Sequence, residues 1–277
     1  EGRAVVRRYH DAGFEQIKIY SSLKMDVLRA VCAEAHALGM TVTGHVPNGM
    51  NAFEAVEAGM DQINHAQYLP PVMIKDYAPR AAAPQKLDPD SPAAQAAIRF
   101  FKSHGTVFDP TLAIFEWVLH PADVPFARIE PGAAKLPPEL VGPINNTGVP
   151  AASVPTARAT VERFRDAVAA LHRAGLPIVA GTDQVVPGHS LHRELELYVE
   201  AGFTPLEAIQ AATIVPARVM KLDKELGTVE PGKLADLIIL DANPLEDIHN
   251  TRRVRKVVSN GRVFDAAPLW RSVGFKP

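Results

Sequence analysis

Four polar residues of this sequence are of the types that bind divalent metal ions or activate water. They are Lys18, His45, His65 and Asp183, and each comes at or near the end of a short β-prone run. Imidazole and carboxylate groups are the usual protein ligands of Zn and related ions. Taken singly, each has a plainer explanation, such as a histidine satisfied at a strand end or an aspartate that caps a turn. Because buried strand ends seldom carry ionisable groups without a partner, the four together predict a metal site.

Strands that alternate with amphipathic helices must position these side chains. The hydrophobic pattern predicts strands at residues 15–20, 41–45, 61–65, 106–109 and 177–181. It predicts helices at residues 23–38, 51–58, 93–103, 155–174, 194–201 and 205–212. This alternation is typical of parallel strands joined by right-handed crossovers, whose carboxyl ends lie at one rim. The four candidate residues are therefore expected at that rim.

Two stretches interrupt the pattern, and the chain ends in a different one. Residues 69–92 are rich in proline and alanine and predict a loop, and residues 119–155 contain eight prolines with little periodicity. The second stretch predicts a substrate-covering loop or a mobile insertion. After residue 217, segments 227–240 and 253–264 are strand-like with no helix between them, which predicts a small β appendage.

Composition excludes several classes of protein. Of the 277 residues, 47% are hydrophobic and 22% charged, which is a globular balance and not that of a disordered, collagenous or coiled-coil chain. The formal net charge is -2, so the chain as a whole has no excess of positive charge for binding nucleic acid or an anionic membrane. A single cysteine, Cys32, excludes a disulfide framework and a cysteine-based zinc site. Apolar runs such as Leu237–Leu240 are far shorter than the roughly 20 residues of a membrane span, so we expect a soluble chain.

The first residues suggest that the sequence starts inside a longer protein. Glu1 stands where a methionine would, no basic and apolar leader follows, and residues 5–11 are typical of the end of a helix. The compartment therefore stays open.

Several segments resemble the amidohydrolase superfamily, in the order in which that superfamily has its strand ends. They read QIKIY at 16–20, TGHV at 43–46, INHA at 63–66 and AGTD at 180–183. The tail LGTVEPGKLADLI at 226–238 is similar to the superfamily's C-terminal β segment. Within the superfamily, the chain most resembles the imidazolonepropionase-like group that contains Xaa-Pro dipeptidases.

The resemblance implies an α/β fold, a partial TIM (β/α)8 barrel with strands four to eight and a small C-terminal β-sandwich part. Residues 1–218 would form the incomplete barrel, and residues 219–277 the β segment of the composite sandwich domain. The superfamily's first strand carries a His-x-His pair, and that motif does not occur in this sequence. Counting Lys18 onto the fourth strand, the first three strands lie outside it.

The resemblance also assigns roles. A lysine at the place of Lys18 is carboxylated and bridges two divalent metals, while histidines at the places of His45 and His65 bind one of them. The aspartate at the place of Asp183 binds the other metal and is the catalytic base. Zn is the expected metal, as one or two ions, since the second site needs the His-x-His pair. Substrate contacts are expected from Tyr20, whose alternative is simple packing, and from His189.

The implied function is metal-dependent cleavage of an amide or peptide bond by metal-activated hydroxide, in a dipeptide or an N-acyl amino acid. Two alternatives remain open: a cyclic-amide hydrolase or deaminase of the same superfamily, or a non-catalytic fragment that is a folding or assembly unit. The expected partners are a small-molecule or dipeptide substrate and either a second copy of the chain or a complementing N-terminal segment.

Overall fold

The computed structural model describes residues 1–79, 84–183 and 185–277, and the chain forms two compact units. Unit 1 comprises Glu1–Pro110 and Asp166–Val179, and unit 2 comprises Thr111–Arg165 and Ala180–Pro277. The boundary at residue 218 that the sequence suggests stays a prediction. No helix of the described residues combines the length and the apolar character needed to cross a membrane.

Unit 1 alternates helices with short strands, as the sequence predicts. In chain order its elements are α1 Gly2–Asp11, β1 Gln16–Ile19, α2 Met25–Ala37, β2 Thr41–Gly44, α3 Ala52–Glu57, β3 Gln62–Asn64, α4 Pro70–Met73, α5 Pro92–His104 and β4 Val107–Asp109. Local chemistry sets several of the helix ends. The Asn51 side chain accepts the backbone N–H of Glu54 while the Glu54 carboxylate accepts that of Asn51, a capping box at the start of α3.

The loop predicted for residues 69–92 is wrong at its beginning, where α4 forms. Pro70 and Pro71 stand in the first turn of that helix, where a missing backbone N–H breaks no hydrogen bond. In the rest of this stretch, the described residues before α5 contain no further helix or strand. Residues 80–83 of the predicted loop lie outside the described residues.

The strands of unit 1 are parallel. β1 pairs with β2, with Lys18 opposite Thr43, and β3 pairs with β4, with Asn64 opposite Asp109. The N–H of Asp61, just before β3, donates to the carbonyl of Val42 in β2 at 2.9 Å, so β2 and β3 are also neighbours. The spatial order of the strands therefore follows their order in the chain.

Only one residue of the predicted fifth strand pairs. Ile178 makes a parallel bridge to Phe108, with hydrogen bonds from Phe108 N–H to Pro177 (3.0 Å) and from Val179 N–H to Phe108 (2.8 Å). Four of the five strands predicted in this part of the chain are confirmed, and the fifth is present only as this one parallel bridge. Across the described ranges the strands form short open sheets and no closed barrel.

One face of the unit 1 strands is apolar. Val42, Ile63 and Phe108 are almost completely buried, and Phe108 packs edge-on against Phe101 of α5 with ring centroids 4.9 Å apart. Burial of such side chains against the helices contributes about 1.5–3 kcal/mol each. This face holds the helices on the sheet.

The other side carries polar groups. The Thr43 hydroxyl donates to Asn64 Oδ1 at 2.7 Å, and the Gln62 amide donates to the same oxygen at 3.1 Å. Residues directly opposite each other on paired strands project to the same side, so Lys18 lies on the side of Thr43 and Asp109 on the side of Asn64. We call this side, with these five residues, the polar face.

Unit 2 is mostly helical and ends in a small sheet. Its elements are α6 Leu112–Leu119, α7 Pro138–Asn145, α8 Val154–Arg173 (of which residues from 166 on belong to unit 1), α9 Ser190–Glu200, α10 Pro205–Ala211, α11 Ile214–Val219, β5 Leu237–Leu240, β6 Val254–Ser259, β7 Arg262–Asp265 and α12 Ala266–Ser272. The predicted β appendage is confirmed as the antiparallel sheet β5-β6-β7. The first of its strand-like segments pairs only over β5, and a 3-10 turn, Ile248–Arg252, lies where no helix was predicted.

The irregular stretch predicted for residues 119–155 is wrong. It contains α7 and three 3-10 turns, and its Phe126, Leu136 and Ile144 are buried in a cluster with Val186 and Phe275. Prolines at the starts of these short elements hide the periodicity, because a helix of one or two turns repeats its apolar positions only once or twice.

A buried ion network ties this stretch to the end of unit 2. Glu130 is 1% exposed and accepts two hydrogen bonds from Arg252, at 2.6 and 3.0 Å. The same guanidinium donates to Glu196 at 2.5 and 3.2 Å. The paired, fork-like geometry compensates part of the cost of burying these charges.

Candidate metal centre

Three of the four predicted ligands lie at the carboxyl ends of consecutive parallel strands in unit 1. Lys18 is the last residue but one of β1, and His45 and His65 follow directly after β2 and β3. Asp183 belongs to unit 2. Lys18, His45 and His65 therefore lie at the ends of neighbouring strands of the same unit.

The structure brings the two histidine rings together. The centroids of His45 and His65 are 4.4 Å apart with an angle of 58° between the rings. His65 is 4% exposed, and His45 is half-buried. Neighbouring imidazoles in this arrangement are suited to hold one divalent ion between them.

A glycine positions the first of these rings. Gly44 has φ 133°, and a Cβ at this position would lie 2.1 Å from the carbonyl oxygen of Ile19. Because glycine has no Cβ, β2 can lie directly against β1, and His45 N–H donates to that carbonyl at 3.0 Å. The glycine in the Thr-Gly-His segment is thus a requirement of the strand pairing.

A strained backbone turn positions the imidazole ring of His65. His65 has φ 71°, a conformation that costs a residue other than glycine about 1–3 kcal/mol. Its N–H donates to the carbonyl of Asp109 at 2.7 Å, and the next N–H, of Ala66, donates to Pro110 at 2.9 Å. These hydrogen bonds to the end of β4 stabilise the turn at His65, where the chain leaves β3.

Two tyrosines flank His45. Tyr20, predicted as a substrate contact, has its ring centroid 4.3 Å from that of His45 and is 65% exposed. Tyr68, in the 3-10 turn after His65, lies 6.4 Å from His45 with an edge-on geometry. Sequence reasoning missed Tyr68. Its position three residues after a predicted ligand is the signal that could have found it.

Lys18 is exposed and belongs to the polar face. It is two residues before Tyr20, and side chains two apart in an extended chain project to the same side. Its role as a third ligand stays a prediction, and the backbone places it on the side where that role requires it.

A second residue missed by sequence reasoning is Asp109. It ends β4, is half-buried, and stands opposite Asn64 on the polar face. The signal was present, since Asp109 closes a predicted strand just as His45 and His65 do. Its carboxylate adds an acidic group to the rim that carries Lys18, His45 and His65 in unit 1.

His45 and His65 by themselves are too few ligands to complete a zinc site. Within the ranges that the structure describes, no three His, Cys, Asp or Glu side chains are grouped for metal binding. Protein zinc sites have at least three protein ligands, so His45 and His65 need a third donor of another type. A lysine converted to a carbamate would supply an anionic oxygen, and Lys18 as that third donor stays a prediction.

The other predicted residues lie in unit 2. Asp183 is exposed and has φ 51°, a second strained backbone at a predicted site residue. Its role as base stays a prediction.

His189, predicted to contact substrate, is 7% exposed and stacks on Trp270 at 4.6 Å with an angle of 11° between the rings. Burial, with smaller contributions from the charges of His192, Lys135 and Arg252, lowers the pKa of His189 to about 4. At neutral pH it is therefore an uncharged, packed ring, and its contact with substrate stays a prediction.

Comparison with known proteins gives independent information on the family and fold of this chain. A family model described as the amidohydrolase family matches residues 21–264, which is most of the chain. Among curated proteins, the chain is 41% identical over 97 residues to an ochratoxinase of Aspergillus niger, covering 33% of this chain and 20% of that protein. It is 34% identical over 109 residues to a 5-methylthioadenosine/S-adenosylhomocysteine deaminase of Symbiobacterium thermophilum, covering 35% of this chain and 25% of that protein.

Among solved structures, the chain superimposes on a Xaa-Pro dipeptidase with bound methionine in its active site. The TM-score is 0.66 at 24% identity, over 96% of this chain and 58% of that one. The likeness at this identity is one of fold. The chain thus spans less than two thirds of the proteins that it matches.

Proposed function

Because the chain belongs to the amidohydrolase family, we propose that it serves the hydrolysis of a carbon–nitrogen bond at a metal centre built on Lys18, His45 and His65. The observation that carries the proposal is the pair of imidazole rings, 4.4 Å apart, at the ends of neighbouring parallel strands. A shared rim of parallel strands is where α/β barrels carry their active sites.

We propose further that the parallel segments of unit 1 are part of a (β/α)8 barrel, as its strands four to seven, with residues 177–181 as the eighth. The sheet β5-β6-β7 would be part of the accompanying sandwich. Two findings support this: the strands are parallel and adjacent in chain order, and the fold is similar to that of the Xaa-Pro dipeptidase over 96% of the chain.

Lys18 becomes a ligand only after a chemical change. Its neutral amine would attack CO2, forming a nitrogen–carbon bond and releasing one proton, and the product is a carbamate with anionic oxygens. The exposed side chain of Lys18 is accessible to CO2. A bound divalent ion, with Zn the expected one, lowers the pKa of a water molecule and polarises the carbonyl of the substrate.

The chain's own residues would supply binding and proton transfer. The Tyr20 hydroxyl, on a ring that is mostly exposed beside His45, can donate a hydrogen bond to a substrate carbonyl or carboxylate. Asp183 keeps the role that the resemblance implies, accepting a proton from water and returning it to the leaving amine.

The proposed substrate is a dipeptide or an N-acyl amino acid. The fold of the Xaa-Pro dipeptidase and the identity to an ochratoxinase favour it. Deamination is a second candidate, because the deaminase relative is 34% identical over its matched segment.

The test is elemental analysis of the protein expressed from its complete reading frame, followed by assays with dipeptides, N-acyl amino acids and aminopurine nucleosides. We expect bound Zn or another divalent metal and turnover of the first two classes. His45→Asn and His65→Asn should each lose metal and, with it, turnover, while His104→Asn, on an exposed helix end, should keep both. Asp183→Asn should keep much of the metal and lose about 10²–10⁴-fold in rate.

Each contrary result has a defined meaning. Release of ammonia from the nucleosides without amide cleavage would establish the deaminase. A protein that binds metal and turns over none of the substrates would support the non-catalytic alternative. Full metal content in both histidine variants would refute the site itself.

A further inference from the structure

Asp109 is the remaining charged group of the polar face, and neither the proposed metal site nor the proton transfer uses it. It ends β4 directly opposite Asn64. Asn64 is buried and accepts hydrogen bonds from Thr43 and Gln62, so its side chain is held in place on the same face as Asp109. A half-buried carboxylate on this face could bind a cation through a charge-assisted hydrogen bond.

The position of Asp109 relative to the histidines defines where such a cation would lie. Its carbonyl accepts the N–H of His65 at 2.7 Å, so the two residues are immediate neighbours across the β3–β4 junction. Lys18 lies at the far strand of the face, on β1, with β2 and β3 between them. Asp109 is thus beside the imidazole pair, on the side away from Lys18.

The chemistry of the proposed substrates supplies a cation close to the reacting group. In a dipeptide the α-ammonium nitrogen is on the carbon bonded to the scissile carbonyl, two bonds from the carbonyl carbon. An N-acyl amino acid has the same amide and no ammonium. A carboxylate next to a metal-binding histidine can therefore separate these two substrate classes.

We propose that Asp109 is a specificity-determining residue that binds the free α-ammonium group of a dipeptide. This inference rests on the proposed hydrolysis at the His45–His65 site and deepens it. An ionised carboxylate only accepts hydrogen bonds, and an ammonium donates three, so the pair is a charge-assisted hydrogen bond. Bound substrate would cover this half-buried carboxylate, and removing one partner of a charge pair that is buried in the complex costs a factor of about 10² or more in binding.

The experiment compares Ala-Pro with N-propionyl-proline, which has the same scissile amide and lacks only the ammonium group. The quantity measured is the ratio of kcat/KM for Ala-Pro to that for N-propionyl-proline, on the metal-loaded protein from the complete reading frame. We expect the ratio to favour Ala-Pro and to fall about 10²-fold in Asp109→Asn. Asp109→Glu, which keeps the charge, should retain part of the preference. Asp90→Asn, an exposed aspartate before α5, is the matched control and should keep the full ratio.

A second measurement decides the matter without turnover. Calorimetry on the metal-free protein should give tighter binding of Ala-Pro than of N-propionyl-proline, and Asp109→Asn should remove the difference. If neither compound is hydrolysed but this difference is found, the proposed function fails and the ammonium site stands. An unchanged ratio and an unchanged binding difference in Asp109→Asn would overturn the assignment, and so would an equal loss for both compounds, which marks a structural role.

Discussion

Replacing Gly44 with alanine tests how the strand pairing positions His45. The added Cβ would lie 2.1 Å from the Ile19 carbonyl oxygen, whereas ordinary contacts begin at 3.4 Å, so β1 and β2 must separate locally by about 1.3 Å. The His45 N–H to Ile19 hydrogen bond, now 3.0 Å, would then exceed 4 Å and be lost. That loss costs about 1–2 kcal/mol.

The backbone conformation adds to this cost. Gly44 has φ 133°, which an alanine adopts only with strain of about 1–2 kcal/mol. With the lost packing between the strands, we expect Gly44→Ala to lower the free energy of unfolding by about 3–5 kcal/mol. Gly39→Ala is the matched control, because Gly39 has φ 77° and no atom within 4 Å of the added Cβ, so it reports the backbone strain alone, about 1 kcal/mol.

The measurement is urea denaturation followed by circular dichroism, with metal content as a second readout. We expect a larger decrease in the midpoint for Gly44→Ala than for Gly39→Ala at similar m-values, and a loss of metal only for Gly44→Ala, since its strand carries His45. Equal midpoints and equal metal content for the two variants would show that β2 is free to move away from β1, and the reasoning on the glycine would be refuted.

Two further predictions concern unit 2. Glu130→Gln weakens the carboxylate–guanidinium pair with Arg252, in which Glu130 is almost completely buried and Arg252 partly buried, and it should lower the free energy of unfolding by about 3 kcal/mol. Glu139→Gln, at an exposed position, is the control and should cost less than about 1 kcal/mol. Equal midpoints in urea for the two variants would contradict the role of the pair. Burial is the main cause that lowers the pKa of His189 from 6.5 to about 4. Between these pH values the unfolded chain therefore binds more protons than the folded chain. The free energy of unfolding should decrease as pH falls from 6.5 to 4, by about 3 kcal/mol for this group. His189→Phe should show a shallower decrease than the wild type in thermal unfolding at pH 4–7. An unchanged slope would show that folding does not lower the pKa of His189.

Much of the secondary structure of unit 1 could be predicted because it depends on residues that are close together in the sequence. Apolar residues at helical spacing, glycines after helices and short β-branched runs are properties of neighbouring residues, and they predicted four strands and the helices between them. Lys18, His45 and His65 could be singled out for the same reason, since a polar residue at a strand end is visible in the sequence. The order of parallel strand ends then placed them at one rim.

Other features needed the tertiary structure. The proline-rich stretch at 119–155 is ordered by contacts with residues far along the chain, such as the pair of Glu130 with Arg252, 122 residues away. No local pattern encodes such a contact. The burial that lowers the pKa of His189 likewise depends on residues far along the chain, such as Trp270 and Phe275 against its ring.

For the candidate metal centre, too, some features follow from the sequence and others only from the tertiary structure. By itself, the sequence determined which residues could bind a metal ion, because side-chain chemistry and position within a strand are local properties. Only the tertiary structure decided that the rings of His45 and His65 are neighbours, that Gly44 is needed for the approach of β1 and β2, and that Asp109 shares the polar face. These depend on strand register and on backbone distances across the sheet, which are set by packing between segments distant in the chain.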